Sequence, residues 1–77
     1  MLIQETCDAY GMEKALDAIE SALERYGLDK KERTRSRLLC EEVMASLVSH
    51  VNKSAKHFRV RVRSWLGEIA VEISAPG

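Results

Sequence analysis

The sequence has no excess charge of either sign, because 12 lysines and arginines balance 12 aspartates and glutamates. Nucleic-acid-binding domains usually carry a strong basic excess, so this balance argues against a nucleic-acid partner. No apolar run approaches the roughly 20 residues that span a bilayer. The first residues also lack the basic start and the apolar stretch of a secretory signal. We therefore expect a soluble, cytoplasmic segment that does not insert into a membrane.

Cysteine is scarce as well. Cys7 and Cys40 are the two cysteines of the chain, and their spacing suggests neither a disulfide framework nor a zinc site. We interpret them as free thiols in a reducing compartment. The 77 residues are enough for a single small domain, residues 1–77, which we expect to be part of a longer domain. A domain of this size buries only roughly 60% of its unfolded surface, so a partner often adds to its stability.

Two amphipathic helices are predicted in the first two thirds of the chain. The first runs from about Met12 to Tyr26, where apolar residues recur at three- and four-residue steps, and Gly27 suits the position after its end. The second begins after Asp29, which forms a capping-box pattern with Glu32. Its first turns are polar, its apolar residues begin at Leu38, and it should end near Asn52.

A β-hairpin is predicted from His57 to Ser74, because apolar and charged residues alternate there with a period of two. If Leu66-Gly67 is a two-residue turn, Val62 faces Val71 and Arg61 faces Glu72. A shift of two residues would instead pair Arg59 with Glu72 and Arg63 with Glu68, and it keeps the same faces. We interpret the arginine row as a solvated face paired with glutamates rather than as a phosphate site.

These elements predict an α+β fold in which two helices pack on one face of the antiparallel hairpin. The expected core contains Leu16, Ile19, Leu23, Val43, Leu47, Val60, Val62, Val71 and Ile73. Open hairpin edges favour a homodimer, formed by edge pairing or by exchange of residues 1–8. In the alternative, residues 1–8 form a third strand on their own hairpin and the chain stays monomeric.

One polar set stands out on the second helix. Glu42, Ser46 and His50 are spaced four apart and lie along one side, with Ser49 and Lys53 beside them. A carboxylate, a hydroxyl and an imidazole can act as general base, metal-positioning group and proton shuttle. Such polar stripes are also ordinary on the solvent side of a helix, and the spacing alone favours that interpretation.

The stretch RLLCEEVMASLVSH lies between an amphipathic helix and a hairpin that ends in VEISAPG. In this order it resembles the first half of the histidine-kinase-like ATPase family, also called GHKL or the Bergerat fold, which includes sensor kinases and anti-sigma-factor serine kinases. The resemblance covers residues 12–77. It implies that Glu42 corresponds to the glutamate that activates water or a hydroxyl, Ser46 to the asparagine that holds magnesium, and His50 to the histidine that follows. It places Ala75 at the aspartate that binds the adenine amino group and Gly77 at the glycine after it.

The sequence departs from that family at two of these positions. The hydroxyl of Ser46 reaches less far toward a magnesium ion than an amide carbonyl does. Ala75 lacks the carboxylate that reads adenine, and a hydrogen bond to a charged group is typically worth ~1.5–3 kcal/mol. The family's glycine-rich lid does not appear in these residues. We therefore expect no enzyme activity, no cofactor and no bound metal, with Glu42, Ser46, His50 and Gly77 as vestiges of a site.

Three hypotheses about function follow. The first is a non-catalytic regulatory or protein-interaction module derived from a histidine-kinase-like ATPase domain, with an unknown protein partner. The second is the ATP-binding half of a serine or histidine kinase that is active only in a longer chain. The third is an unrelated small partner-binding domain. By the resemblance, the first hypothesis implies a bacterial regulator, sometimes a soluble appendage of a larger or membrane-bound protein.

Overall fold

The computed structural model describes residues 1–51 and 53–76, and it has the predicted α+β fold. The elements follow one another as β1 (Leu2–Thr6), α1 (Ala9–Arg25), α2 (Lys30–Ser46), a π-helical turn (Leu47–Val51), β2 (His57–Trp65) and β3 (Glu68–Ser74). In this part of the chain the strands form one antiparallel sheet in the order β1-β2-β3. Both helices pack on the face that carries Phe58, Val60 and Val62. Among the described residues, neither helix is long and apolar enough to cross a membrane.

The N-terminal segment forms a third strand on its own chain, as in the alternative described above. Ile3 lies opposite Val60, and Glu5 lies opposite Phe58. The amino group of Met1 donates a hydrogen bond to the Val62 carbonyl at 3.0 Å, and the Val62 N–H donates to the Met1 carbonyl at 2.9 Å. β2 is therefore the central strand and has a hydrogen-bonded neighbour on each side.

The hairpin has the predicted register. Val62 lies opposite Val71 and Arg61 opposite Glu72, so the register shifted by two residues is wrong. The turn residues Leu66 and Gly67 have φ angles of 51° and 82°. Two successive positive φ values are typical of a type I′ turn, whose twist matches that of the flanking strands. Gly67 adopts this conformation without strain, whereas Leu66 carries a Cβ that disfavours it.

The first helix begins three residues before the predicted Met12. The Asp8 carboxylate caps it by accepting a hydrogen bond from the Gly11 N–H at 2.7 Å, and the Thr6 hydroxyl donates to the same oxygen at 2.9 Å. These hydrogen bonds hold the pKa of the Asp8 carboxyl below its ordinary value. A Cβ at Gly11 would lie 2.0 Å from the Thr6 carbonyl oxygen, so the helix can start this close to β1 only with glycine.

The connection between the helices has the predicted helix end at Gly27 and the predicted cap at Asp29. The Gly27 N–H donates to the Glu24 carbonyl at 3.0 Å, and the Leu28 N–H donates to the Leu23 carbonyl at 3.1 Å. This pair of bonds is a Schellman motif, which ends α1. Asp29 then accepts a hydrogen bond from the Glu32 N–H at 2.8 Å and caps α2. The α-helix ends at Ser46 rather than near Asn52, because the backbone continues from Leu47 as a π-helical turn, and Asn52 lies outside the described residues.

The core is formed mainly by α1 and β2. Its buried hydrophobic residues are Ala15, Leu16, Ile19, Ala22, Leu23, Cys40, Met44, Phe58, Val60 and Val62. The prediction that Val43 is buried is wrong, since Val43 is 45% exposed. The second helix instead turns Cys40 and Met44 inward, which places Val43 beside the core rather than in it. Leu47, Val71 and Ile73 are half-buried.

An ion-pair network joins the two helices. The Arg37 guanidinium lies 2.8 Å from Glu13, 2.9 Å from Asp17 and 3.0 Å from Glu20. The three acids lie on the side of α1 that faces α2, because they are spaced four and three residues apart. The Arg37 side chain is largely covered, with an exposure of 22%. Arg37 therefore links α2 to α1 in addition to the apolar contacts of Cys40 and Met44.

Candidate functional site

The three predicted site residues lie at the end of α2 and just after it. Glu42 and Ser46 are in its last turns, and His50 is in the π-helical turn. All three are exposed. Within residues 1–51 and 53–76, their side chains form no hydrogen bond or ion pair with one another or with other residues. The four-residue α-helical spacing that aligns Glu42 with Ser46 does not extend through the π-helical turn to His50.

The two positions assigned to adenine binding are at the other end of the chain. Ala75 follows β3, is half-buried and packs against the core. Its methyl group has no atom that can accept a hydrogen bond from an adenine amino group. Gly77 lies outside the described residues, so its role as a vestige stays a prediction.

The described residues form no evident centre for metal or thiol chemistry. No three histidine, cysteine, aspartate or glutamate side chains within residues 1–51 and 53–76 lie close enough together to hold a metal ion. Cys7 and Cys40 are both free thiols. Burial raises the pKa of the Cys40 thiol, and burial together with the nearby Asp8 carboxylate raises that of Cys7. Both thiols therefore stay protonated at neutral pH and are weak nucleophiles.

The arginine row lies on the sheet face opposite the helices. Arg59, Arg61 and Arg63 are all exposed there. Glu72 lies directly opposite Arg61, but it forms its ion pair with Arg63, on the diagonal. Arg59 lies opposite Ser74. Of the three arginines, only Arg63 forms an ion pair with a glutamate among the described residues. The interpretation that glutamates pair with the row therefore holds for Arg63 and not for Arg59 or Arg61.

An apolar groove runs between α2 and β3. It has a volume of about 260 Å³ and is lined by Ser36, Leu39, Cys40, Val43, Val71 and Ile73. We call it the α2–β3 groove. Leu39 is 56% exposed and Val43 is 45% exposed, so both leave much of their apolar surface in water. Exposed apolar surface that is contiguous across two elements is typical of interaction sites.

The α2–β3 groove was missed in the sequence, although a signal for it exists. The apolar residues after residue 37 in α2 and in the π-helical turn that follows it cover more than one face: Leu38, Leu39, Cys40, Val43, Met44, Leu47 and Val48. A single helix packed on a single core needs only a stripe, so the surplus indicates a second apolar surface. Which residues form that surface depends on the rotation of α2 about its axis, and the arginine contact with α1 contributes to that rotation.

Comparison with known protein families, curated proteins and solved structures gave no match to this chain.

Proposed function

We propose that this chain is a non-catalytic protein-interaction module derived from a histidine-kinase-like ATPase domain. The observation that carries the proposal is the α2–β3 groove, where Leu39 and Val43 leave apolar surface exposed between α2 and β3. Burial of apolar surface is the dominant favourable term in protein association. Binding of a protein partner over the groove is therefore favoured, because it buries the exposed apolar surface of Leu39 and Val43.

The residues at the family's catalytic positions support a non-catalytic role. Glu42, Ser46 and His50 are exposed, and among the described residues they form no hydrogen bond or ion pair with one another. Ser46 offers only a short hydroxyl to a magnesium ion, and Ala75 offers no carboxylate to adenine. A nucleotide would have to bind without the two groups that hold its metal and read its base.

Titration calorimetry with ATP and magnesium tests this proposal. We expect no saturable heat, since neither the metal nor the adenine has its ligand. A dissociation constant below ~100 µM, which corresponds to more than about 5 kcal/mol of binding free energy, would contradict the proposal. Ser46→Ala is the matched variant, because the resemblance places Ser46 at the magnesium position and the substitution removes only an exposed hydroxyl. Saturable heat that disappears in Ser46→Ala would favour the kinase-half hypothesis.

A further inference from the structure

The two edges of the sheet differ in how they are protected from pairing with another strand. β1 places Glu5 on the helix-covered face, opposite Phe58. An inward-pointing charge on an edge strand is a common device against edge-to-edge association, because a pairing strand would bury it. β3 places Ile69, Val71 and Ile73 on the same face and has no charged residue there. Of these two edges, β3 lacks the inward charge.

The backbone groups at the β3 edge can be assigned from the hydrogen bonds of β2. Val62 exchanges its backbone hydrogen bonds with Met1, so its N–H and C=O point toward β1. Because bonded and non-bonded pairs alternate in antiparallel strands, Val62 and Val71 form a non-hydrogen-bonded pair. The N–H and C=O of Val71 therefore point away from β2, and those of Ile69 and Ile73 do the same.

The α2–β3 groove lies beside this edge. Val71 and Ile73 line it from the sheet, and Leu39 and Val43 line it from the helix. A strand that pairs with β3 would thus bring its own helix-side residues next to exposed apolar surface. Hydrogen-bonding groups and apolar surface coincide at one place on the molecule.

We propose that β3 pairs antiparallel with β3 of a second copy of this chain, about a two-fold axis that passes through Val71. This inference rests on the proposed function as an interaction module and names the partner. Ile69 then lies opposite Ile73 of the second copy, so the apolar faces match and both sheets join into one. Glu72 lies opposite Ala70 of the second copy. The α2–β3 grooves of the two copies meet on the helix side of the joined sheet.

Two criteria favour this register over the neighbouring ones: the separation of the glutamates and the placement of the apolar side chains on one face of the joined sheet. An axis through Ala70 places Glu68 opposite Glu72, and an axis through Glu72 places that residue opposite itself. Like charges directly opposite one another destabilise a strand pair. A shift by one residue turns the apolar side chains of one strand to the solvent face. Axes through Ile69 or Ile73 also keep the glutamates apart, but they pair only three residues of each strand, whereas the axis through Val71 pairs all seven.

Ala70 provides a sharp test, because its two neighbours have opposite charges. Within one chain it is exposed and lies opposite Arg63, so Glu suits that position better than Lys. In the proposed dimer it lies opposite Glu72 of the second copy, so Lys suits it better than Glu. Two such pairs form about the axis. Ala70→Glu should therefore weaken the dimer about two- to thirtyfold and Ala70→Lys should strengthen it, since each pair contributes roughly 0.2–1 kcal/mol.

Light scattering coupled to size-exclusion chromatography, with a dilution series for each variant, measures these effects. We expect a dimer mass at ~100 µM protein, where an interface of ordinary size holds. The dissociation constant should rise in Ala70→Glu and fall in Ala70→Lys. Monomer mass at that concentration overturns the inference, and so does a dimer that the two variants leave unchanged or shift in the reverse order. The ATP titration separates the two proposals. A monomer that does not bind ATP would contradict the β3 dimer and leave the non-catalytic function in place. A dimer that binds ATP would support the β3 pairing and contradict the non-catalytic function.

Discussion

At the scale of single residues, Leu66 has a backbone conformation that is unfavourable for its residue type. It is 87% exposed and has a φ angle of 51°, in the left-handed region. A left-handed conformation costs a non-glycine residue roughly 1–2 kcal/mol, because Cβ approaches the following carbonyl oxygen. Asn-Gly is the preferred pair for a type I′ turn, and this chain has Leu-Gly. Leu66 therefore reduces the stability of the hairpin, and no burial compensates for it.

Replacing Leu66 with asparagine should raise the free energy of unfolding by about 0.5–1.5 kcal/mol, because asparagine tolerates the left-handed region. Urea denaturation monitored by circular dichroism measures the change. Leu66→Ala is the matched control, since it removes the apolar side chain but keeps the Cβ strain. Equal effects of the asparagine and alanine variants would show that exposure, and not backbone conformation, determines the cost.

At the scale of elements, Arg37 adds an ion-pair contact to the few buried apolar residues that hold α2. Only Cys40 and Met44 of this helix are buried, whereas α1 buries five hydrophobic side chains and Gly11. Arg37 contacts three acids of α1 at 2.8–3.0 Å. An exposed ion pair is worth little by itself, but a largely covered arginine that contacts three carboxylates also offsets the repulsion between them.

Arg37→Ala should lower the free energy of unfolding by about 1–2 kcal/mol, as expected for several coupled surface pairs. Arg35→Ala on the exposed side of the same helix is the control, and it should change stability by less than about 0.5 kcal/mol. Thermal or urea unfolding at low and high salt measures both. The difference between the two variants should shrink at high salt, where the Debye length is only about 3 Å. Equal losses in both variants at low salt would contradict the role of Arg37.

The two helices and the hairpin could be predicted from the sequence, because their signals are local, whereas β1 was one of two alternatives and the π-helical turn was not predicted. The alternation from Phe58 to Ile73, the turn at Leu66 and the cap at Asp29 each depend on neighbouring residues. The rotation of α2 could not be predicted, since Leu39, Cys40, Val43 and Met44 present apolar side chains on adjoining faces. The contact between Arg37 and α1 is remote in sequence, and periodicity carries no information about it. The early start of α1 was missed because Gly11 looks like a helix breaker until its close approach to Thr6 is known.

At the scale of the whole molecule, the polar set on α2 and the α2–β3 groove differ in how much of each can be predicted from the sequence. The polar residues Glu42, Ser46 and His50 are indicated by spacing and by family resemblance, and the structure places them on the surface without a hydrogen bond or ion pair between them. The α2–β3 groove depends on two elements that are distant along the chain. It becomes visible only when the order of the strands leaves β3 at an edge and the rotation of α2 turns Val43 toward it.

In the proposed dimer, β3 is the edge that pairs with a second copy and β1 stays open. Amide hydrogen exchange followed by NMR at high and low protein concentration tests this most directly, because both edges are observed in the same molecule. The amides that point to the open side of β3 are those of Ile69, Val71 and Ile73. On β1 the corresponding amides are those of Leu2, Gln4 and Thr6, because the Met1 pairing with Val62 directs the alternate residues toward β2.

We expect the three β3 amides to be protected at high concentration and to lose that protection on dilution, while the three β1 amides exchange rapidly at both concentrations. The β1 amides serve as the internal control, since they share the same sheet and the same solvent. Rapid exchange of Ile69, Val71 and Ile73 at high concentration, at the same rates as Leu2, Gln4 and Thr6, would contradict the claim.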